Sequence, residues 1–290
     1  MRILILGASG MLGSSVLSVF CEDDSHEVWG TIRSESSKRF FNEDIQARLL
    51  AGVDVLDQDA LIRVLEEVKP EVVINCVGLI KQLAHAQDPL ITLPVNAMLP
   101  HRLAQLCGLM QARLIHISTD CVFSGRVGMY KETDLSDAED LYGKSKYIGE
   151  VYNRTNAITL RTSIIGHELN SRFALVEWFL AQEKSVKGYS KAIFSGLPTV
   201  ELAFVIKDYV LTNPQLSGLY HVASSPINKL ELLQLVAARY GKDIEINPDA
   251  NLEIDRSLDG ERFRTATGYT APAWPDLIGK MHDAQRQGSE

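Results

Sequence analysis

The sequence lacks paired cysteines, clustered histidines and any long hydrophobic run. Its four cysteines are scattered and form no CxxC pair, which argues against a disulfide framework and against a zinc site. The seven histidines show no HExxH spacing, so we expect no metal centre. No apolar stretch approaches the roughly 20 residues of a membrane-spanning helix. The chain opens directly into an apolar strand, so we expect a reduced, cytoplasmic protein with no membrane partner.

Positive charge is also scarce. The chain has 29 Lys and Arg against 37 Asp and Glu, a formal net charge of -8, and no run of basic residues. Proteins that bind duplex nucleic acid present a basic face, so we expect no nucleic-acid partner. A local basic patch remains compatible with a small anionic ligand. The 290 residues are enough for one large domain and a smaller lobe.

Strand-like and helical patterns alternate through the first 165 residues. The apolar run at residues 2–6 is typical of a buried parallel strand, and residues 57–68 carry apolar side chains at helical spacing. A later helix is expected over residues 141–153. Further strands are expected at 72–76, 113–118 and 157–162. The alternation predicts an α/β fold of the Rossmann type, a doubly wound parallel sheet.

Beyond residue 165 the alternation loosens. The pattern predicts a returning strand near residues 218–222 and an amphipathic helix at 228–240, followed by a Pro-rich tail. We therefore expect a smaller C-terminal substrate-binding lobe beside the Rossmann domain. The predicted Rossmann domain comprises residues 1–165 and a returning segment near 199–223, and the predicted lobe comprises residues 166–198 and 224–290.

A glycine-rich turn follows the first strand and opens an apolar helix. Glycine at such positions permits a tight turn and lets a pyrophosphate approach the helix N-terminus, where free N–H groups favour anions. A tight turn without a ligand is the alternative. The residues of this predicted dinucleotide site are Gly7, Ser9, Gly10, Met11, Leu12 and Gly13.

The end of the second strand bears on the choice of cofactor. An acidic residue there would accept from a ribose 2′-hydroxyl, whereas this chain has Arg33 and Ser34. A guanidinium suits a 2′-phosphate, so we expect NADPH rather than NADH, with NADH as the alternative. A solvated arginine beside Glu35 is the competing interpretation.

Two further turns are expected to contact this cofactor. Asp54 and Val55 follow the third strand, where a carboxylate suits an adenine amino group, although Asp54 could equally cap the next helix. Small side chains follow the fourth strand and allow a cofactor to pass closely. They are Cys76, Val77 and Gly78.

Thr119, Tyr142 and Lys146 are the candidate catalytic residues. Thr119 ends the fifth strand, and the other two stand four residues apart on one face of a helix. A neighbouring ammonium favours the phenolate and lowers the tyrosine pKa from about 10. Carbonyl reduction needs a hydride for carbon, a proton for oxygen and a group holding that oxygen. A surface Tyr and Lys on a polar helix face are the alternative.

These motifs resemble the extended short-chain dehydrogenase/reductase family, and within it the dTDP-4-dehydrorhamnose reductase group. The resemblance covers residues 2 to about 205 and, more weakly, 254–263. The matching stretches are ILILGASGMLG, VVINCVG, VNAMLPHRLA, ISTDCVFSG, YGKSKYIGE, LRTSIIG, SGLPTVELA and IDRSLDGERF.

The resemblance implies NADPH-dependent reduction of the C4 keto group of a nucleotide-activated 4-keto-6-deoxy sugar, for polysaccharide biosynthesis. Tyr142 would protonate the C4 oxygen, and Lys146 with Tyr142 would also hold the nicotinamide ribose. Asn96 falls near the asparagine of the family's proton relay, or simply packs. Residues expected to contact the substrate are Lys81, Gln82, Thr199 and Arg256, with Arg256 either a diphosphate clamp or paired with Asp255 or Asp259.

Cys121 departs from the group, which carries tyrosine in STDYVF. Loss of a large hydroxylated ring beside the substrate suggests a different sugar, for example a 2-acetamido sugar on UDP. We expect Cys121 to be a small pocket wall rather than a reactive thiol, since no basic residue adjoins it in sequence.

Three alternatives remain open. An epimerase of the same superfamily would share these motifs but would need no 2′-phosphate site. A dehydratase would carry a pair of acidic residues after Thr119, whereas in this chain Asp120 is followed by Cys121. The resemblance also permits a non-catalytic regulatory subunit like that of methionine adenosyltransferase. A homodimer is a further family-level expectation.

Overall fold

The structure is a computed structural model that describes residues 1–81 and 86–287; the predicted substrate residue Gln82 lies outside this part. The strands are β1 (Arg2–Leu6), β2 (Glu27–Thr31), β3 (Leu49–Leu50), β4 (Val72–Asn75), β5 (Arg113–Thr119), β6 (Ala157–Thr162), β7 (Ile164–Ile165), β8 (Ser185–Tyr189), β9 (Ala192–Phe194), β10 (Leu197–Pro198), β11 (Gly218–His221), β12 (Ile227–Asn228), β13 (Glu245–Asp249) and β14 (Ile254–Asp255). The helices are α1 (Met11–Cys21), α2 (Glu43–Gln46), α3 (Gln58–Val68), α4 (Pro89–Leu93), α5 (Leu99–Leu109), α6 (Leu141–Ile148), α7 (Leu175–Leu180), α8 (Thr199–Val205), α9 (Lys229–Tyr240), α10 (Glu261–Thr267) and α11 (Trp274–Gln287).

A seven-stranded parallel sheet forms the centre, in the order β11–β6–β5–β4–β1–β2–β3. The Rossmann-type sheet predicted from the sequence is therefore confirmed, and the returning strand is β11. Chain order reverses between β1 and β4. In doubly wound sheets the crevice beyond the carboxyl ends of such neighbouring strands is the place where ligands bind.

Both faces of the sheet are covered. Ile3 and Ile5 of β1 point into one core and Leu4 and Leu6 into the other, because successive strand side chains face opposite sides. The core that contains Ile3 continues without a break into α9 and α11. The division of the chain at residue 165 therefore remains a prediction, since one core includes side chains from both parts.

Small sheets build the later part of the chain. Strand β9 lies between β12 and β14, while β7 pairs with β10 and β8 with β13. Asp255 N donates to Gly125 O at 2.7 Å, and Tyr130 N donates to Ser257 O at 2.9 Å. These bonds fix β14 beside the loop that follows β5, at the same edge of the main sheet as the crevice.

Two predictions about secondary structure were wrong. The helix expected to reach residue 153 ends at Ile148. A Cβ on Gly149 would lie 2.0 Å from Asn96 O, so the backbone after the helix packs directly against the backbone of Asn96. The predicted tail instead forms α10 and α11. A proline in the first turn of a helix is tolerated, so the Pro-rich pattern hid α11, which buries Leu277, Ile278 and Met281. Among the described residues, no helix combines the length and apolar character that crossing a membrane requires.

Candidate active site

The glycine turn after β1 has the shape of an anion cradle. Gly7 has φ +80°, and a Cβ on Gly13 would lie 2.1 Å from Gly7 O, so side chains are excluded at both positions. Gly10 caps α1 without a side-chain hydrogen bond, which leaves the first N–H groups of the helix available. Ser9 lies in this turn, and Met11 and Leu12 form the first residues of α1. These residues fit a dinucleotide pyrophosphate.

The end of β2 presents a free cation. Arg33 is exposed, and no hydrogen bond or ion pair to its side chain occurs within the part of the chain that the structure describes. Glu35, the neighbour expected to compete for it, pairs instead with Lys38 at 2.8 Å. The Ser34 hydroxyl lies 2.7 Å from that of Ser36. Arg33 is therefore available for a 2′-phosphate.

The turns after β3 and β4 flank the same crevice. Asp54 is exposed and accepts from Leu56 N at 2.9 Å, whereas Asp57 caps α3, so the capping role considered for Asp54 was wrong. A Cβ on Gly7 would lie 2.9 Å from the side chain of Val77, so the turn after β4 closely approaches the glycine turn. The neighbouring predicted contacts, Val55, Cys76 and Gly78, occupy these same two turns.

Helix α6 brings the predicted catalytic residues to the end of β5. A Cβ on Gly143 would lie 2.2 Å from Cys121 O, so this glycine lets α6 press against the loop after Thr119. The Asp140 side chain caps the helix by accepting from Gly143 N at 2.8 Å. Lys146 is buried, and its Nζ donates to Ile117 O at 2.7 Å.

Asn96 joins the crevice to α6. It lies in a wider π-type turn between α4 and α5, a feature common at functional sites. Its amide donates to Leu79 O and to Ser145 Oγ, each at 3.2 Å, and its carbonyl accepts from Leu79 N at 2.9 Å. A Cβ on Gly78 would lie 3.6 Å from Asn96 Oδ1 and 3.9 Å from Lys146 Nζ. These hydrogen bonds tie the turn after β4 to α6, and a part for Asn96 in a proton relay remains a prediction.

The pKa values differ from our expectation at Tyr142. Burial raises the pKa of Tyr142, the nearby Cys121 raises it further, and the Thr119 hydroxyl lowers it. Burial lowers the pKa of Lys146 to about 8, while Glu150 and Cys76 raise it. The predicted lowering of the Tyr142 pKa is therefore wrong for this arrangement, in which burial favours the neutral phenol.

Cationic side chains surround Cys121. Arg256 donates from Nε to Phe123 O at 2.9 Å and lies 3.7 Å from Cys121 Sγ, so its proposed pairing with Asp255 or Asp259 was wrong. Lys229 Nζ lies 3.8 Å from the ring centre of Phe194. Burial lowers the pKa of Lys229 to about 8, and the negative charge of Asp120 raises it. Burial raises the pKa of the Cys121 thiol to about 12, as befits a wall rather than a nucleophile.

The other predicted substrate residues have structural partners. Thr199 is buried, accepts from Ser15 Oγ at 2.7 Å and packs on Gly166, so it ties α8 to α1. Lys81 pairs with Asp140 at 2.5 Å, which links the turn after β4 to the start of α6. Contact of either residue with substrate remains a prediction.

A family model described as the RmlD substrate binding domain matches residues 1–283. The chain belongs to this family. The dTDP-4-dehydrorhamnose reductase of Aggregatibacter actinomycetemcomitans is 26% identical to this RmlD family member, over 78% of this chain and 74% of that protein. Methionine adenosyltransferase 2 subunit beta of Mus musculus is 29% identical, over 96% of this chain and 89% of its own. With several other curated relatives, the match spans about half of their length.

Solved structures share the fold. The dTDP-4-dehydrorhamnose reductase of Bacillus anthracis, solved in complex with NADP, superposes with a TM-score of 0.79. It is 19% identical, and the match covers 98% of this chain and 99% of that one.

Two residues of the candidate site were not predicted from the sequence, Gly143 and Lys229. Gly143 could have been found from the sequence, because a glycine inside the YGKSK motif suggests that another part of the chain approaches closely there. Lys229 has no such signal in its neighbouring residues.

Proposed function

We propose that this RmlD family member uses NADPH to reduce the C4 keto group of a nucleotide-activated 4-keto-6-deoxy sugar. The observation that supports this most strongly is the convergence of Thr119, at the end of β5, with Tyr142 and Lys146 of α6, next to the turn after β4. Burial raises the pKa of Tyr142, and a hydrogen bond with the Thr119 hydroxyl lowers it. Lys146 Nζ would lie 3.9 Å from a Cβ placed on Gly78, in the turn after β4.

The residues divide the chemistry among them. NADPH, when bound, supplies the hydride for the carbonyl carbon. Tyr142 carries its proton at neutral pH, as a tyrosine with the ordinary pKa of about 10 already does, and it can give that proton to the carbonyl oxygen. Thr119 holds the same oxygen in place. Lys146 is partly charged near pH 8 and attracts negative charge that develops on that oxygen and on Tyr142.

The cofactor assignment rests on the free cation after β2. Arg33 and Ser34 offer a guanidinium and a hydroxyl to a 2′-phosphate, and Glu35 is held by Lys38 rather than by Arg33. A recycled, tightly held NAD, as an epimerase uses, would need no such group. NADPH is therefore favoured over NADH.

The substrate nucleotide is expected beside Cys121. Arg256 and Lys229 present two cations beside Cys121 and Asp120, while the nearby Asp140 is paired with Lys81, and this arrangement suits the diphosphate of a nucleotide sugar. The guanidinium of Arg256 occupies space next to the small thiol. This arrangement favours a sugar different from that taken by relatives with tyrosine at this position, and a UDP-linked 2-acetamido sugar is our candidate.

The test is NADPH oxidation by the purified protein with dTDP-linked and UDP-linked 4-keto-6-deoxy sugars. We expect turnover with at least one of them, and faster turnover with the UDP-linked 2-acetamido sugar. Tight NADPH binding without turnover on any 4-keto sugar would contradict the proposal. It would favour the second candidate, a regulatory nucleotide-binding subunit, for which the near full-length match to the mouse beta subunit speaks.

A further inference from the structure

We propose that His116 is a positioning residue for the cofactor: through Asn75 it fixes the turn after β4 against the glycine turn that fits a dinucleotide pyrophosphate. This inference rests on the proposed function, because the turn after β4 is the place where NADPH is expected to pass closely. It adds a buried side chain of β5 to the residues on which cofactor binding depends.

His116 and Asn75 are buried neighbours on adjacent strands. They face each other in the register of β4 with β5. His116 Nδ1 lies 3.1 Å from Asn75 Nδ2, and Asn75 Oδ1 accepts from Val77 N at 3.1 Å. Two consecutive hydrogen bonds therefore lead from β5 through Asn75 to the turn after β4.

The direction of these bonds fixes the protonation of the imidazole. A backbone N–H only donates, so the Asn75 oxygen faces Val77 and the Asn75 amide nitrogen faces His116. That nitrogen also donates, so His116 Nδ1 accepts and the ring proton is on Nε2. Burial lowers the pKa of His116, and the charge of Lys146 lowers it further, in agreement with a neutral ring.

The other ring nitrogen shows that packing alone does not explain this histidine. His116 Nε2 is buried, and it has no hydrogen-bond partner within residues 1–81 and 86–287. A buried donor without an acceptor is unfavourable, and an apolar side chain would avoid that cost. What histidine supplies here, and leucine would not, is the acceptor Nδ1 for Asn75.

The bond from Val77 to Asn75 is made where β4 ends. Cys76 N makes the last ladder bond, to Leu6 O at 3.1 Å, so Val77 N is the first amide beyond the sheet. The Asn75 side chain accepts from this amide two residues on, which is the geometry of an Asx turn. The orientation of the Asn75 amide therefore sets the path by which the chain leaves the sheet.

The turn so fixed lies between the glycine turn and the catalytic lysine. A Cβ on Gly7 would lie 2.9 Å from Val77 Cγ2 and 3.4 Å from Val77 N. A Cβ on Gly78, the next residue, would lie 3.9 Å from Lys146 Nζ. A change in the path of the turn would alter the space left for a dinucleotide on both sides. Loss of the His116 bond is therefore expected to weaken NADPH binding.

The test compares His116→Leu with His116→Asn. Leucine removes the acceptor, whereas the carbonyl oxygen of asparagine can replace Nδ1. The probe is hydrogen exchange of the Val77 amide, followed by NMR in the protein without cofactor. We expect exchange to be about 3- to 10-fold faster in His116→Leu, because one hydrogen bond is lost, and close to the wild-type rate in His116→Asn. Unchanged exchange in His116→Leu overturns the proposal, and so does equally fast exchange in both variants.

Two further variants separate the hydrogen bond from general loosening of the fold. His26→Leu is the matched control, because His26 also has a buried ring nitrogen without a partner and precedes β2 at the opposite end of the sheet. It should leave Val77 unchanged, and an equal acceleration there contradicts the proposal. His116→Gln serves if His116→Leu does not fold, since its amide lies nearer the position of Nε2 than of Nδ1. The same faster exchange is expected, and its absence contradicts the inference.

A fluorescence titration of NADPH gives the second readout. The Kd should rise by about 3- to 10-fold in His116→Leu and return toward the wild-type value in His116→Asn. An unchanged Kd in His116→Leu would contradict the role in cofactor binding. Hydrogen exchange needs neither cofactor nor substrate, so failure of the proposed reaction is recognised separately as absent turnover in the wild type.

Discussion

The two sides of the candidate site are built in different ways. The cofactor side comes from short contiguous stretches, the turn after β1 and the turns after β2, β3 and β4. The substrate side comes from residues far apart in the chain: Cys121 follows β5, Lys229 begins α9 and Arg256 follows β14. Strand β9, paired with both β12 and β14, brings the last two together. Local motifs therefore encode nucleotide binding, and tertiary packing of the later part encodes the proposed substrate contacts.

Tyr142→Phe should give the largest effect, because it removes the proton donor but not the ring. We expect kcat to fall by about 10²–10⁴-fold, the usual contribution of general acid catalysis, with NADPH affinity unchanged. Steady-state kinetics with a fluorescence titration of NADPH checks both. Activity within a factor of a few of the wild type would mean that another group donates the proton.

Gly143→Ala tests whether the two sides depend on the close approach of α6. The added Cβ would lie 2.2 Å from Cys121 O, so α6 must move. A shift of about 1 Å can lower a rate by about a hundredfold, and we expect a loss of that order in kcat with NADPH still bound. Gly108→Ala on α5 is the control, since its Cβ would meet its nearest neighbour at 3.5 Å. Equal effects of the two variants would remove this argument.

Arg33→Ala tests the cofactor side alone. The preference for NADPH over NADH should fall by about 10- to 100-fold, since a hydrogen bond to a charged group contributes about 1.5–3 kcal/mol. The KM for the sugar nucleotide should not change. Arg39→Ala, an exposed arginine stacked on Phe40, is the control. Unchanged cofactor preference in Arg33→Ala would contradict the 2′-phosphate assignment.

Lys229→Met tests the substrate side alone and should give the smallest effect. We expect the KM for the sugar nucleotide to rise by about tenfold, because Arg256 still holds the diphosphate, while NADPH affinity stays constant. Lys191→Met, which removes an exposed pair with Glu253 in the same region, should be silent. A change in NADPH affinity without a change in this KM would reverse the two assignments.

The contrast between local motifs and tertiary packing explains which features could be predicted from the sequence and which could not. The parallel sheet and the glycine turn follow from apolar runs and from glycine at fixed offsets, both of which are local. The partners of Arg256 were predicted incorrectly because its neighbours in sequence, Asp255 and Asp259, bond backbone and serine groups instead. The direction of the Tyr142 pKa was predicted incorrectly because burial, which spacing along a helix does not reveal, raises that pKa. Helix α11 was missed because its proline lies in the first turn.

The most direct test of the proposed reaction is to follow deuterium from NADPH to the sugar. The protein is incubated with NADPH carrying deuterium at the C4 position of the nicotinamide and with UDP-linked and dTDP-linked 4-keto-6-deoxy sugars, and the products are examined by NMR. The account predicts deuterium at C4 of the sugar in the wild type, and none with Tyr142→Phe on the same timescale. NADPH that binds tightly but transfers no deuterium to any of these sugars would contradict it.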